Sequence, residues 1–243
     1  MTEYLASTYG DRIADWYDSM HPAVDPAAIE LLAELASGGP VLELGIGTGR
    51  IALPLASRGL RVQGVDASEA MVARLRAKPG GQDIPVTITD FREFDLQRTF
   101  PLIFVAFNTI FALPTQDDQV QCFRTVARHL GADGCFVVEA FVPDLTRFDR
   151  NQRVSMGNFD LDSAMLELSH HDPVRQRIDA QLLYLSPQGI RLYPVQLRYA
   201  WPAELDLMAR LAGLTLWQRW SSWNREPFGA ASGFHVSVYR REV

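Results

Sequence analysis

Three alternating glycines directly after a short apolar run set the strongest limit on how this chain can fold. The run Val41–Leu44 predicts a buried strand, and Gly45, Gly47 and Gly49 predict a tight turn that leads into a helix from about Arg50. A strand, a glycine-rich turn and a helix in this order are typical of open parallel sheets, which bind ligands outside the carboxyl ends of their strands. Glycine there lets a ligand approach the backbone closely, so the segment predicts a ligand site.

Short apolar runs alternate with amphipathic stretches over roughly the first 140 residues, which indicates a parallel sheet wrapped by helices. The predicted strands of this part are 41–44, 61–65, 85–89, 102–107 and 135–138. Ser68 and Thr115 are the predicted N-caps of two helices between these strands. An amphipathic helix is predicted before the first strand, with these residues on its apolar face: Tyr9, Ile13, Trp16, Tyr17 and Met20.

The rhythm changes after Pro143, where shorter strand-like runs predict an antiparallel insertion packed over the ends of the sheet strands. Two of its strands are expected at 182–185 and 195–199, on either side of a turn. The remaining predicted elements are a helix that starts at Pro202 and two final strands at 215–220 and 234–239.

Acidic residues end three successive predicted strands, at Glu43, Asp66 and Asp90. Asp66 is placed to accept hydrogen bonds from ribose hydroxyls. The dinucleotide fingerprint would need glycine or alanine at Arg50, and a pyrophosphate beside Glu43 would meet like charge in a partly desolvated cleft. The acids therefore favour a ligand with hydroxyls, an exocyclic amine, an ammonium and a sulfonium, which describes S-adenosylmethionine.

These residues resemble the class I S-adenosylmethionine-dependent methyltransferases, especially the small-molecule type that modifies natural products, over about residues 9–140 and the two final strands. The resemblance implies an α/β fold: a Rossmann-like, doubly wound, mostly parallel seven-stranded sheet with its last strand antiparallel, plus an antiparallel β insertion that caps the substrate cleft. We expect a single methyltransferase domain over residues 1–243. Its expected parts are an N-terminal helical lid (1–35), a cofactor-binding core (36–142), a β insertion or substrate cap (143–200), and a final helix and strands (201–243).

The resemblance also implies which residues bind the cofactor. Gly45, Gly47 and Gly49, behind Glu43, would line the methionine and ribose parts. Asp66 would hold the ribose hydroxyls, with Ala67 and Met71 beside the adenine, and Asp90 would bind the adenine amine, with Phe91 against the ring. Asn108 and Thr109 would line the cofactor near its reactive centre, and Tyr9 and Tyr17 match the aromatic lid of such enzymes.

Three residues are the candidate catalytic residues: Glu139, His171 and Tyr17. Glu139 ends a buried strand and either acts in the substrate cleft or is satisfied by neighbouring backbone or arginine. No metal site is expected at His170 and His171, because adjacent residues in a strand point to opposite faces. Pro173 favours a turn there, from which either histidine could still reach the cleft as a base.

The predicted reaction is the direct displacement of the activated methyl group by an acceptor atom, with alignment and the exclusion of water as the main catalytic factors. No residue stands out as an obligatory base, which favours a nitrogen or electron-rich carbon acceptor over oxygen. Aromatic residues after position 183 predict a pocket for a small, aromatic or heterocyclic natural product: Tyr184, Tyr193, Tyr199, Trp201, Trp217, Trp220 and Trp223. The alternatives are a non-catalytic S-adenosylmethionine-binding regulator and an NAD(P)-dependent oxidoreductase.

Composition removes several classes of function. With 23 basic and 29 acidic residues, nothing favours nucleic acid or an anionic membrane as partner, and no apolar run is long enough to span a bilayer. Lys78 is the only lysine and lies at a predicted helix end, which argues against Schiff-base chemistry and a phosphate-binding loop. Two cysteines without metal-type spacing, Cys122 and Cys135, suggest the cytoplasm. The oligomeric state is left open.

Overall fold

A computed structural model describes residues 3–21 and 24–241. Its helices are α1 (Thr8–Ile13), α2 (Tyr17–Met20), α3 (Pro26–Ala36), α4 (Ala52–Ser57), α5 (Glu69–Arg76), α6 (Gln116–His129) and α7 (Pro202–Leu211). Its strands are β1 (Val41–Leu44), β2 (Val62–Asp66), β3 (Val86–Ile88), β4 (Phe100–Val105), β5 (Leu130–Phe141), β6 (Gln152–Phe159), β7 (Ala164–Asp172), β8 (Arg177–Ser186), β9 (Gly189–Arg198), β10 (Leu214–Trp220) and β11 (Phe234–Arg241). Short 3-10 turns lie at Gly81–Asp83, Thr109–Ala112 and Leu145–Arg147.

The main sheet has seven strands in the order β10-β11-β5-β4-β1-β2-β3. The first five strands in sequence are parallel, and β11 runs antiparallel to both of its neighbours, β5 and β10. The expected doubly wound sheet with its last strand antiparallel is therefore confirmed. In this order β1 lies between β2 and β4, so the chain segments that leave these three strands meet at one edge of the sheet.

Two apolar clusters cover the two faces of this sheet. One joins α6 and α7 to the sheet through residues such as Phe123, Leu205 and Tyr239, and the other joins α3 and α4 through residues such as Leu32 and Leu55. Both predicted helix caps are present, because Ser68 accepts a hydrogen bond from Met71 N and Thr115 accepts one from Asp118 N.

The region after Pro143 forms a separate four-stranded antiparallel sheet in the order β6-β7-β8-β9, which confirms the expected insertion. One face of this second sheet packs on the N-terminal helices, where the Trp16 ring lies 4.5 Å from Tyr184 and 5.3 Å from Tyr193 between centroids. At its base, buried Arg198 of β9 pairs with Glu204 of α7 at 2.6 Å and anchors the insertion to the core. The insertion therefore packs on the N-terminal segment as well as on the core.

The structure corrects several details of the sequence prediction. The N-terminal helix is broken into α1 and α2 by the turn at residues 14–16. His170 and His171 lie in β7 instead of a turn, because the chain turns only after Asp172, whose side chain accepts hydrogen bonds from Val174 N and Arg175 N. Strands β4 and β5 begin earlier than expected, and β6 and β7 precede the two predicted insertion strands.

The division into 1–35, 36–142, 143–200 and 201–243 stays a prediction, and residues 1–2, 22–23 and 242–243 of it lie outside the described part. Within that part, none of the helices has the length and apolar character needed to cross a membrane.

Candidate active site

The turn after β1 forms the floor of a cleft at the carboxyl edge of the main sheet. Gly45 has φ +70°, and a Cβ there would lie 2.5 Å from Thr109 Cγ2, in the turn that follows β4. Gly49 has φ +77°, and a Cβ there would overlap the Leu75 side chain of α5. Only glycine fits both positions without strain, which lets the loop lie close to the chain after β4 and to α5.

Two carboxylates face each other across this loop. Asp66, at the end of β2, accepts hydrogen bonds from Gly47 N at 2.7 Å and from Ser68 N at 2.8 Å. Glu43 in β1 is buried, and its Oε2 atom has no hydrogen-bond partner among the described residues. A buried polar atom without a partner is costly, so Glu43 Oε2 marks a place where a donor is expected.

The surroundings of Glu43 and Asp66 favour the neutral form of both carboxyl groups. Burial raises the pKa of Glu43 well above its ordinary value, the charge of Asp66 adds to this rise, and Arg50 opposes it. Burial also raises the pKa of Asp66, although hydrogen bonds from Ser68 N and Gly47 N favour its charged form. A cationic ligand group between these carboxylates would relieve the unfavourable interactions.

The N-terminal helices close over the two loops that follow β1 and β2. Ser68 Oγ donates to Asp11 Oδ1 at 2.6 Å, and Thr48 Oγ1 donates to Asp18 Oδ1 at 2.6 Å. Lys78, the only lysine, donates from Nζ to Asp18 Oδ2 and to the carbonyl of Thr48, each at 2.8 Å. Helices α1 and α2 are thereby tied to the backbone that forms the floor of the cleft.

Aromatic rings and one guanidinium form part of the wall of the cleft. The Arg50 guanidinium lies 4.5 Å from the Phe107 ring centroid and 5.8 Å from that of Tyr17. Burial raises the pKa of the Tyr9 and Tyr17 hydroxyls, so both are neutral donors near neutral pH. His21 packs edge-on against Tyr17 and Phe107, with centroids 4.8 Å apart in each case.

The structure brings most of the predicted cofactor residues together in this cleft. Those that line it are Tyr9, Tyr17, Glu43, Gly45, Gly47, Asp66, Ala67, Met71, Asp90, Phe91 and Thr109. Gly49 and Asn108 are not among the lining residues. Gly49 packs against Leu75 beneath the loop, and the Asn108 amide oxygen accepts a hydrogen bond from Phe141 N at 2.6 Å, which turns it away from the cleft.

Two of the three catalytic candidates lie elsewhere. The Glu139 carboxylate accepts hydrogen bonds from Trp223 Nε1 and from Phe107 N, both at 2.7 Å. Neighbouring groups therefore satisfy this carboxylate, which favours the alternative of a structural role. His171 is buried in β7, where its Nε2 lies 2.9 Å from the Tyr199 hydroxyl and its ring stacks on Phe148. Tyr17 alone of the three lines the cleft.

The predicted aromatic pocket is also placed differently. Trp220 and Trp223 pack in the core cluster beside α3, and Trp217 lies against Arg240 on β11. None of the seven tyrosines and tryptophans predicted to form this pocket is among the cleft-lining residues that the structure describes. The aromatic lining comes instead from Tyr4, Tyr9 and Tyr17 of the N-terminal segment and from Phe91 and Phe107.

Several lining residues were not predicted. Arg50 directly follows the glycine loop, a position that could have identified it as a lining residue. Tyr4 and Gln196 meet at the open edge of β9, where Gln196 N donates to the Tyr4 hydroxyl at 3.3 Å. Their sequence separation of 192 residues left no local signal.

The donors and acceptors of the cleft fit S-adenosylmethionine. Glu43 Oε2 is a buried acceptor without a partner, which suits an ammonium group, and Arg50 beside it suits a carboxylate. The described residues contain no group of three or more His, Cys, Asp and Glu side chains that could hold a metal ion.

The comparisons with known proteins agree with this fit. A family model described as a methyltransferase domain matches residues 41–134. The CcbJ methyltransferase from Streptomyces caelestis is 41% identical, covers 99% of this chain and 100% of its own, and superposes with a TM-score of 0.92. The chain belongs to the class I S-adenosylmethionine-dependent methyltransferases of the small-molecule type, and S-adenosylmethionine is its cofactor.

Two curated relatives are similar to this chain, one over most of its length and one over about half of it. The cypemycin N-terminal methyltransferase of a Streptomyces species is 29% identical over 242 residues, which are 97% of this chain and 98% of that protein. The dTDP-4-amino-2,3,4,6-tetradeoxy-D-glucose N,N-dimethyltransferase of Saccharopolyspora spinosa is 32% identical over 143 residues, 55% of this chain and 56% of that protein. Membership of this family makes the chain an enzyme and favours the methyl donor over a nicotinamide cofactor.

Proposed function

We propose that this enzyme transfers the methyl group of S-adenosylmethionine to an amine nitrogen of a small, natural-product-like acceptor. One curated relative described above is named an N-terminal methyltransferase, and the other is named an N,N-dimethyltransferase of an amino sugar. Among the acceptor atoms that the sequence leaves open, nitrogen is therefore the best supported.

The buried carboxylate of Glu43 is the observation that carries the cofactor assignment. Its unpartnered Oε2 and the nearby Asp66 place two carboxyl groups at the floor of the cleft, where a cation would stabilise their charged forms. We propose that Glu43 binds the ammonium of the methionine part and that Arg50, in the same cleft, binds its carboxylate. Both interactions fix the cofactor at the end whose sulfur carries the methyl group.

The other lining residues would hold the nucleoside. Asp66 would accept hydrogen bonds from the ribose hydroxyls, because each of its carboxylate oxygens can accept more than one. Asp90, beside Phe91 and Met71, would accept from the adenine amine while the two apolar side chains pack on the ring. Ala67 and Thr109 complete the wall of this part of the cleft.

The chain supplies alignment rather than a strong base. Bound S-adenosylmethionine supplies a methyl carbon whose bond to sulfur breaks as the acceptor nitrogen forms its new bond, with the electron pair left on sulfur. Tyr9, Tyr17 and Phe107 would exclude water and present ring faces to the positive charge. Alignment of this kind is worth roughly 7 to 11 kcal/mol.

The ionisable groups of the cleft support nitrogen over oxygen. The lining residues that the structure describes include acids, arginines and tyrosines, but no histidine. An alcohol or phenol that keeps its proton at neutral pH would need a general base. A neutral amine already carries the lone pair that attacks, and the product ammonium can lose its proton afterwards.

A labelled methyl donor tests the proposal. The purified enzyme is incubated with the deuteromethyl form of S-adenosylmethionine and matched acceptors that differ only in an amine or a hydroxyl at the same position. We expect the label on nitrogen, with the hydroxyl analogues unlabelled. Label on oxygen alone would contradict the nitrogen assignment, and no label on any acceptor, despite tight cofactor binding, would favour the regulator that the sequence left open.

The expectations of a small-molecule partner and a cytoplasmic location belong with this proposal. A cleft lined by the lid suits a small acceptor, and two buried free thiols, Cys122 and Cys135, suit a reducing compartment.

A further inference from the structure

The turn that follows β4 places an aromatic residue in a backbone conformation that such residues rarely adopt. Phe107 and Asn108 have φ +58° and +64°. Thr109 N donates to the Ala106 carbonyl at 3.1 Å and closes the turn. Turns with two central residues of positive φ favour asparagine, aspartate or glycine at both positions, so Asn108 fits and Phe107 is strained. Of the eight non-glycine residues with positive φ in the described chain, Phe107 alone has an apolar side chain, and strain of this kind is concentrated at functional sites.

Hydrogen bonds to β5 hold this turn in place. Phe107 N donates to Glu139 Oε2 at 2.7 Å, and Asn108 N donates to the Glu139 carbonyl at 3.2 Å. The Asn108 amide oxygen accepts from Phe141 N at 2.6 Å, at the end of the same strand. A strained backbone persists only where its surroundings fix it from several sides. The bond between Asn108 and Phe141 is therefore one of the contacts that keep Phe107 in its left-handed conformation.

The turn presents the Phe107 ring to the cleft, against Arg50. This ring lines the cleft and is 44% exposed, and its centroid lies 4.5 Å from the Arg50 guanidinium and 4.8 Å from the His21 ring centroid. The face of an aromatic ring attracts a guanidinium, which limits the conformations of the long arginine side chain. Arg50 therefore loses less conformational freedom when it binds a ligand, and this favours binding.

We propose that Asn108 is a positioning residue for the cofactor, although its amide is turned away from the cleft. Asn108 holds Phe107 in the left-handed turn, and the Phe107 ring orients the Arg50 guanidinium towards the carboxylate of the methionine part. This inference rests on the role proposed above for Arg50. It also explains why the chain keeps a phenylalanine at a position where asparagine would make the turn more stable.

Calorimetric titration with two ligands that differ in one group tests the proposal. S-adenosylhomocysteine carries an ammonium and a carboxylate, whereas its decarboxylated form keeps only the ammonium. Asn108→Gly removes the amide but leaves the left-handed backbone unstrained, so the freed turn should lower the affinity for S-adenosylhomocysteine about three- to tenfold. The affinity for the decarboxylated form should change by no more than about twofold. Asn151→Gly is the matched control, because Asn151 has φ +62° in the turn before β6, and it should bind both ligands as the wild type does.

A second variant, Phe107→Asn, separates this role from a purely structural one. Asparagine suits the turn but lacks the ring, so the melting temperature should not fall while the affinity for S-adenosylhomocysteine still falls about three- to tenfold. Unchanged affinity in either Asn108→Gly or Phe107→Asn, or equal losses for the two ligands, would overturn the proposal alone. A wild type that binds both ligands equally would overturn it together with the proposed role of Arg50, whereas transfer to nitrogen is tested separately by the labelled donor.

Discussion

Glu43 and Asp66 show how two residues of ordinary type become a binding site through their surroundings. Glu43 lies one residue before the end of β1 and Asp66 ends β2, and the parallel sheet brings both to one edge together with the glycine loop. Their positions could be predicted from the sequence, because strand ends and glycines have local signatures. The fate of Glu139 could not, because its partner Trp223 lies 84 residues away and competes with any substrate for the carboxylate.

The affinity for S-adenosylhomocysteine should fall as the pH is lowered. In the free enzyme, burial and Asp66 raise the pKa of Glu43, and an ammonium bound beside it would lower that pKa again. Binding should therefore release protons between the two pKa values, and the affinity should be lost as the pH falls through the higher one. Calorimetry in buffers of different ionisation enthalpy measures this release. Proton uptake, or an affinity independent of pH, would be inconsistent with the role of Glu43.

Replacing Glu139 should affect stability more than catalysis. Glu139→Gln puts an amide donor against either Trp223 Nε1 or Phe107 N, both of which already donate to the carboxylate. The clash of donors should cost about 1 to 3 kcal/mol of folding free energy. Thermal unfolding measures the loss, and the pH profile of methyl transfer should keep its shape. A profile that loses one titration step would instead restore Glu139 as a base.

The helices and strands were predicted well where their patterns are local and less well where partners are distant. The presence of the parallel strands around the glycine loop follows from alternating apolar runs and amphipathic stretches. The break between α1 and α2 is set by packing, since Trp16 at the break is held against Tyr184 and Tyr193 of the insertion. Likewise, β7 continues through His170 and His171 because β8 pairs with it along its whole length.

The contacts of α2 with the cofactor loop should matter for cofactor binding. Lys78→Met removes the bonds from Nζ to Asp18 and to the Thr48 carbonyl, which join the lid to the loop. Because these groups are partly exposed, we expect a modest rise in the KM for S-adenosylmethionine, about three- to tenfold, which corresponds to up to about 1.4 kcal/mol. Arg76→Met, an exposed neighbour, is the control and should leave this KM unchanged. Equal effects of both changes would show that the contact with the lid is unimportant.

Contacts between side chains join the predicted core, insertion and final helix into one molecule. One apolar cluster contains Phe123 of the core together with Tyr199 and Leu205 from the end of the insertion and α7. Arg198 at the base of the insertion donates to Gln119 of α6 at 2.6 Å, and both side chains are buried. Sequence reasoning identified the insertion but not the direction in which its sheet faces, since residues on both faces are apolar.

These contacts predict that the chain unfolds as one unit. Differential scanning calorimetry without ligand should give a single transition whose calorimetric and van't Hoff enthalpies agree. The insertion should not melt separately, because Arg198 and Tyr199 join it to the core. Two resolved transitions would divide the chain into independent domains and contradict the single domain expected from the sequence.

A titration of Glu43→Gln with S-adenosylhomocysteine tests most directly whether buried acids hold a positively charged nucleoside. The change keeps the shape of the side chain but removes its charge, so we expect affinity to fall about 10- to 100-fold, or about 1.4 to 2.7 kcal/mol. The melting temperature of the free enzyme should not fall, because the ionised carboxylate is unfavourable there. Glu30→Gln, an exposed acid on α3, should bind as the wild type does. Unchanged affinity in Glu43→Gln, or tighter binding of NADH than of S-adenosylhomocysteine by the wild type, would contradict the assignment of this cleft.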